Sequence, residues 1–147
     1  MWACPRCRAK FVTRNLPHSC VVVTVDTFFA AQPPGGVALA RAFIAEVEKL
    51  GPVTLHPVKT RIALMVDVRF AAINRISAGS IRGHFWLRER HASDRFERIE
   101  QLGARDWLYH FIVDASRPID AELRRFMRLA YANGRRWPQQ RRRPTSA

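Results

Sequence analysis

The sequence predicts an α+β domain of two layers: an antiparallel sheet of about four strands with two helices on one face, preceded by a small zinc-binding module. Three observations carry the body of this reading. Residues 37–50 and 119–133 place apolar side chains at helical spacing. The segments between them alternate apolar and polar residues. The links between those segments are of hairpin length, which joins antiparallel neighbours.

Residues 21–29, VVVTVDTFF, begin with β-branched residues that favour a strand. Thr24 also offers an N-cap for a short helix over 25–31. Gln32-Pro33-Pro34-Gly35-Gly36 breaks the chain and reads as a plain loop. In the first long helix Ala40, Phe43, Ile44, Val47 and Leu50 share a face, and Gly51-Pro52 stops it. Over 60–70, Ile62, Leu64, Val66, Val68 and Phe70 face one way in a single strand, with Arg61 and Arg69 on the other side. Residues 81–87 repeat the pattern, setting Ile81, Gly83, Phe85 and Leu87 against Arg82, His84, Trp86 and Arg88. Residues 96–101 and 107–113 form a hairpin around Leu102-Gly103-Ala104-Arg105. The last helix carries the stripe Ile119, Leu123, Phe126, Ala130 and Tyr131, with Gly134 as its C′ residue. Residues 135–147 have little apolar content and read as a disordered basic tail.

The chain has 147 residues and a formal net charge of +13. The excess sits mainly at the ends: residues 1–20 hold four bases and no acid, and residues 135–147 hold five arginines and no acid. Such flanks favour polyanions, DNA or RNA above all, although basic ends also simply confer solubility. No apolar run approaches the roughly 18 residues of a membrane span. Residues 1–6 lack a signal pattern, so a cytoplasmic protein is expected.

All three cysteines fall in the first twenty residues, as Cys4-Pro5-Arg6-Cys7 and then His18-Ser19-Cys20. Zinc takes four tetrahedral nitrogen or sulfur ligands, and Cys3His is such a set. His18 and Cys20 share a side of an extended segment, where residues two apart point the same way. A thioredoxin-like redox site needs a strand before the first cysteine and a helix after it, and residues 1–3 offer no obvious strand. Four closed ligands leave no position for water, so the zinc is expected to be structural.

The stretches Trp2-x-Cys4-Pro5-x-Cys7, Phe11, Asn15 and His18-Ser19-Cys20 resemble the start of bacterial proteins of the "domain of unknown function 5655" family. So do Gly51-Pro52-Val53, His56-Pro57-x-Lys59-Thr60-Arg61-Ile62-Ala63, Tyr109-His110 and Ala130-Tyr131. The chain departs from that pattern at Arg8 and at Leu16-Pro17. The resemblance implies an α+β fold with the zinc module and no particular activity.

In the body, Lys59, Arg61 and Arg69 belong to the first strand, Arg82, His84, Trp86 and Arg88 to one face of the second, and His110 to the fourth. His56 precedes the first strand, and His110 reads as a hydrogen-bonded core histidine. If these faces coincide, a basic surface with an aromatic platform results, suited to phosphates and stacked bases. The same surface suits a small anionic ligand, or is a plain solvated sheet face. No nucleophile elbow, P-loop or clustered carboxylate pair is present in the sequence. The first reading is therefore a non-enzymatic, zinc-containing nucleic-acid-binding protein with the tail and module adding charge. The alternatives are a small-anion-binding domain or enzyme using the basic face, and an adaptor that meets a protein partner through the module.

Overall fold

The computed structural model describes residues 2–3, 10–11, 24–58 and 60–135. Cys4, Cys7, His18, Cys20, Lys59 and the chain beyond Arg135 lie outside the described residues. Two short strands come first, β1 (Trp2–Ala3) and β2 (Lys10–Phe11), followed by α1 (Val25–Ala30) and α2 (Pro34–Glu48). Next come β3 (Thr54–Pro57), β4 (Ile62–Met65), β5 (Arg69–Ile76) and β6 (Ile81–Leu87). A hairpin of β7 (Arg98–Gly103) and β8 (Asp106–Val113) leads to α3 (Ala121–Gly134).

β3 to β8 form one six-stranded sheet in the order β3-β4-β5-β6-β8-β7, antiparallel throughout. The class is the expected α+β, but the sheet has six strands rather than four. The long strand expected over 60–70 is in fact two, because the chain turns at Val66–Val68. That turn is anchored from the far end of the molecule: the Gly134 carbonyl accepts from the Asp67 and Val68 amides, both at 3.0 Å. β3 has too few residues to show a periodicity, which is why it escapes a sequence reading.

The segment after residue 23 is the helical alternative. The Thr24 hydroxyl accepts from the Thr27 amide at 3.0 Å, so the cap outweighs the β-branched bias. The Pro-Gly-Gly stretch is no loop either. Pro34 opens α2, where its missing N–H costs nothing. Gly35 and Gly36 let that first turn lie on the Ala78 and Ser77 carbonyls of the β5–β6 turn, where a Cβ would collide. Gly134 is the last residue of α3 rather than a C′ residue, and Arg135 is the C-cap.

α2 and α3 lie over β5 and β6, and α1 over β3. The core between the layers includes Phe43, Phe85 and Phe111, whose rings stack 4.9 to 5.8 Å apart. Phe96, Tyr109 and Phe126 extend it at the β8 end. Tyr109 is fully buried, and its hydroxyl bridges the loop after β6, donating to the Glu89 carbonyl and accepting from the His91 amide. Gly83 sits mid-strand in β6 because a Cβ there would meet the Ala72 carbonyl and the Phe111 ring.

β1 pairs antiparallel with β2, Trp2 opposite Phe11 and Ala3 opposite Lys10. A strand thus does precede Cys4, against the expectation. The chain is back in a strand at Lys10, where a thioredoxin-like site would place a helix.

Candidate functional site

With the helices on one side, the sheet's other face is left open by the described residues, and the pairing register lays a single row across it. His56 of β3 faces Ala63 of β4, which faces Ala72 of β5. Ala72 faces His84 of β6, His84 faces His110 of β8, and His110 faces Arg98 of β7. Two alanines between larger side chains make a hollow. Ala63 and Ala72 line a depression of about 200 Å³ with Arg61, Arg69, His84 and Trp86 around it. Leu102 and Leu108 close it on the β7–β8 side.

Four of the residues singled out by sequence therefore converge: Arg61, Arg69, His84 and Trp86. Arg61 is in the link before β4 and Arg69 opens β5, so the turn at Val66–Val68 brings them to adjacent strands. Arg82 and His110 line a neighbouring depression of about 420 Å³ instead, together with Asn74 and Arg98. Arg88 follows the end of β6 and is held by the Arg105 carbonyl at 3.0 Å and by Asp106. His56 is within β3 rather than before the first strand. His110 is hydrogen-bonded as expected, yet it is half-buried on the open face and not in the core.

The charges divide into two kinds. Arg82 pairs with Glu97 through both carboxylate oxygens, at 3.1 and 3.2 Å. Arg98 and His110 share Glu100, at 3.3 and 2.9 Å. Arg61 and Arg69, by contrast, have no acidic partner among the described residues. Partial burial, and then the charge of Arg61, lower the Arg69 guanidinium from its ordinary value. Burial, followed by Arg69 and Arg61, likewise lowers His56. The depression is thus a concentration of uncompensated positive charge.

His84 is fixed by a β-bulge. The β5–β6 register shifts between Ile73 and Arg75, leaving Asn74 unmatched, and the Asn74 Nδ2 sits 2.9 Å from His84 Nδ1. An amide nitrogen donates, so Nδ1 accepts and the ring proton sits on Nε2. Burial, then the charges of His110 and Arg61, hold this imidazole down to about 4, against an opposing pull from Glu100. His84 is therefore neutral at pH 7, whereas the unfolded chain takes up its proton near 6.5. Protons bind the unfolded state first, so stability falls as pH drops from about 6.5 and the loss levels off below about 4. Glu46, Glu100, Asp114 and Glu122 all titrate below their ordinary values, so the part of the window above pH 5 isolates the histidines. Denaturation midpoints are expected to fall between pH 6.5 and 5, and His84→Gln is expected to flatten that slope. An NMR titration of wild-type protein showing His84 protonated near pH 6 would overturn this.

Sequence reading missed Asn74, Glu100, Leu102 and Leu108, and it did not anticipate the alanine floor. Asn74 shows no signal because a bulge is a property of pairing. Glu100 lies opposite Leu108 and diagonal to His110 only once β7 and β8 are in register.

The fold and site together define a class: a helix-backed antiparallel sheet whose free face carries an uncompensated cationic depression walled by tryptophan and leucine. The family described as Domain of unknown function (DUF5655) matches residues 25–134, and the chain belongs to it. No curated protein and no solved structure matches the chain. Among the described residues no helix is long and apolar enough to cross a membrane. Nor does any group of three or more His, Cys, Asp or Glu among them stand ready to hold a metal.

Proposed function

We propose that this is a zinc-containing, non-enzymatic nucleic-acid-binding protein that takes single-stranded DNA or RNA on the open face of its sheet. One observation carries the reading: Arg61 and Arg69, without carboxylate partners among the described residues, flank the same depression as Trp86. A merely solvated sheet face spreads or pairs its charges, as Arg82, Arg88 and Arg98 do here. Two like charges held together and unpaired are unfavourable until an anion joins them. The basic residues of 1–20 and 135–147 add sequence-independent attraction to phosphates.

The zinc module rests on its donor set, Cys4, Cys7, His18 and Cys20. A C-x2-C pair directs two thiolates at one ion. The metal's role is to fold the module, since twenty residues bury no core of their own. Elemental analysis of unchelated protein is expected to find one zinc per chain; finding none overturns this part.

For binding, the expected result is measurable affinity of the full chain for single strands at low salt, falling steeply as salt rises. Deleting residues 136–147 should weaken the binding without abolishing it. Loss of all binding on that deletion would place recognition in the tail and overturn the sheet-face reading. A second reading, a small-anion site, is favoured by the concavity of the alanine floor. It predicts that inorganic phosphate alone competes fully with the single strand.

A further inference from the structure

The depression is divided chemically. Arg61, Arg69 and His84 make one side cationic or polar, while Trp86, Leu102 and Leu108 make the other apolar. Leu102 is the only large apolar side chain that is exposed among the described residues, at 55%. It lies at this rim rather than on an unrelated surface. An anion site alone has no use for such a wall, and a solvated face does not gather leucines beside a tryptophan.

The indole is also held in place. Trp86 Nε1 donates to Asp106 Oδ1 at 3.3 Å, and Asn133 Nδ2 donates to the Trp86 carbonyl at 2.9 Å. An aromatic surface fixed before binding loses little freedom when a ring stacks on it. The floor, Ala63 beside Ala72, leaves a flat-bottomed space of about 200 Å³. That is below the roughly 300 Å³ at which drug-sized ligand pockets begin. It suits one planar heterocycle, with an attached phosphate outside at the rim.

We infer that the depression is a single-nucleotide subsite: one unstacked base lies on the Ala63–Ala72 floor against Trp86, Leu102 and Leu108, and its phosphate lies between Arg61 and Arg69. This rests on the nucleic-acid reading above and specifies it. A duplex does not fit, because its bases are stacked on each other and present only edges. The contact is through a ring face and apolar side chains, so it discriminates bases weakly.

The test compares two probes on the full-length protein: a short oligothymidylate, and an abasic oligomer of equal length that keeps the phosphates and lacks the bases. Thymidylate is expected to bind roughly 5- to 150-fold tighter, the range of one base–aromatic stack. Trp86→Ala and, separately, Leu102→Ser should close that gap while leaving abasic binding in place. Leu102 is exposed, so its variant keeps the fold even if removing Trp86 disturbs β6. Equal binding of the two probes, or a gap that both variants leave intact, overturns the subsite while the nucleic-acid reading stands. Failure of wild-type protein to bind either probe at low salt overturns both.

Discussion

Replacing Arg95 by alanine is expected to destabilise the protein by about 3 kcal/mol, although Arg95 does not line the depression between Arg61 and Trp86. Its side chain is only 6% exposed and ties three parts of the chain together. Nε donates to Asp120 Oδ2 at 3.1 Å and Nη1 to the Ile112 carbonyl at 3.0 Å. Nη2 donates to the carbonyls of Arg117 and Pro118, at 3.2 and 3.1 Å. Asp120 is itself the N-cap of α3, accepting from the Leu123 amide at 2.8 Å. One guanidinium thus holds the link from β8 into the helix that covers β5 and β6. Removing it strands carbonyls whose lost partners were charged donors, each worth about 1.5 to 3 kcal/mol; water from the neighbouring surface depression replaces part of that. The melting temperature should fall by roughly 6 to 12 °C for a chain of this size. Arg95→Lys should recover less than half, because an ammonium has no planar fork to reach all four acceptors. Asp120→Asn should cost about 1.5 kcal/mol, because asparagine keeps the cap but its single oxygen cannot also accept from Arg95 Nε, while the three carbonyl bonds of Arg95 remain. A thermal shift for Arg95→Ala no larger than that of Asp120→Asn would show that the link is held by something else.

The second large effect belongs to the proposed binding face. Arg61→Gln with Arg69→Gln is expected to weaken single-strand binding roughly 10- to 100-fold at low salt, each arginine making a charge-assisted contact to phosphate. The slope of log affinity against log salt should become shallower by roughly 0.7, for the one single-strand phosphate that the two arginines no longer neutralise. The protein contains its own control. Arg82→Gln with Arg98→Gln removes the same formal charge from the same face, but those guanidiniums already have Glu97 and Glu100. That pair should cost only a few-fold, since it removes no guanidinium from the depression, and the unpaired Glu97 and Glu100 repel the strand only through the long-range field that salt screens. Equal losses from the two double variants would mean that the face acts only through its net charge. The isolated stability of the Arg61/Arg69 variant should be no lower than wild type, because removing two mutually repelling cations relieves the folded state.

The long periodic elements were legible in the chain because their cause is local. Ala40, Phe43, Ile44 and Val47 face the core as their spacing requires, and so do Leu123, Phe126 and Ala130. β6 has the predicted bounds, with Ile81, Phe85 and Leu87 buried and Arg82 exposed. Where two local signals compete, the pattern does not choose. Thr24 and the valines pull residues 24–30 in opposite directions, and the buried Phe28 and Phe29 side with the helix. The Pro-Gly-Gly breaker becomes a helix start because a carbonyl of a distant turn needs the space that glycine leaves.

The proposed zinc ligands, the basic ends and the identity of Arg61, Arg69, His84 and Trp86 as residues of interest all followed from residue type and spacing, which the chain carries in one dimension. Which of those residues meet was decided elsewhere. A turn at Val66–Val68, secured by Gly134 more than sixty residues away, splits one expected strand into two and lets Arg61 and Arg69 line the same depression. The antiparallel register then seats Ala63 against Ala72 and opens the depression under Trp86, with Leu102 delivered from the far edge of the sheet. Register and strand order are set by packing the whole apolar face against α2 and α3, a property of all the strands at once that no single segment encodes.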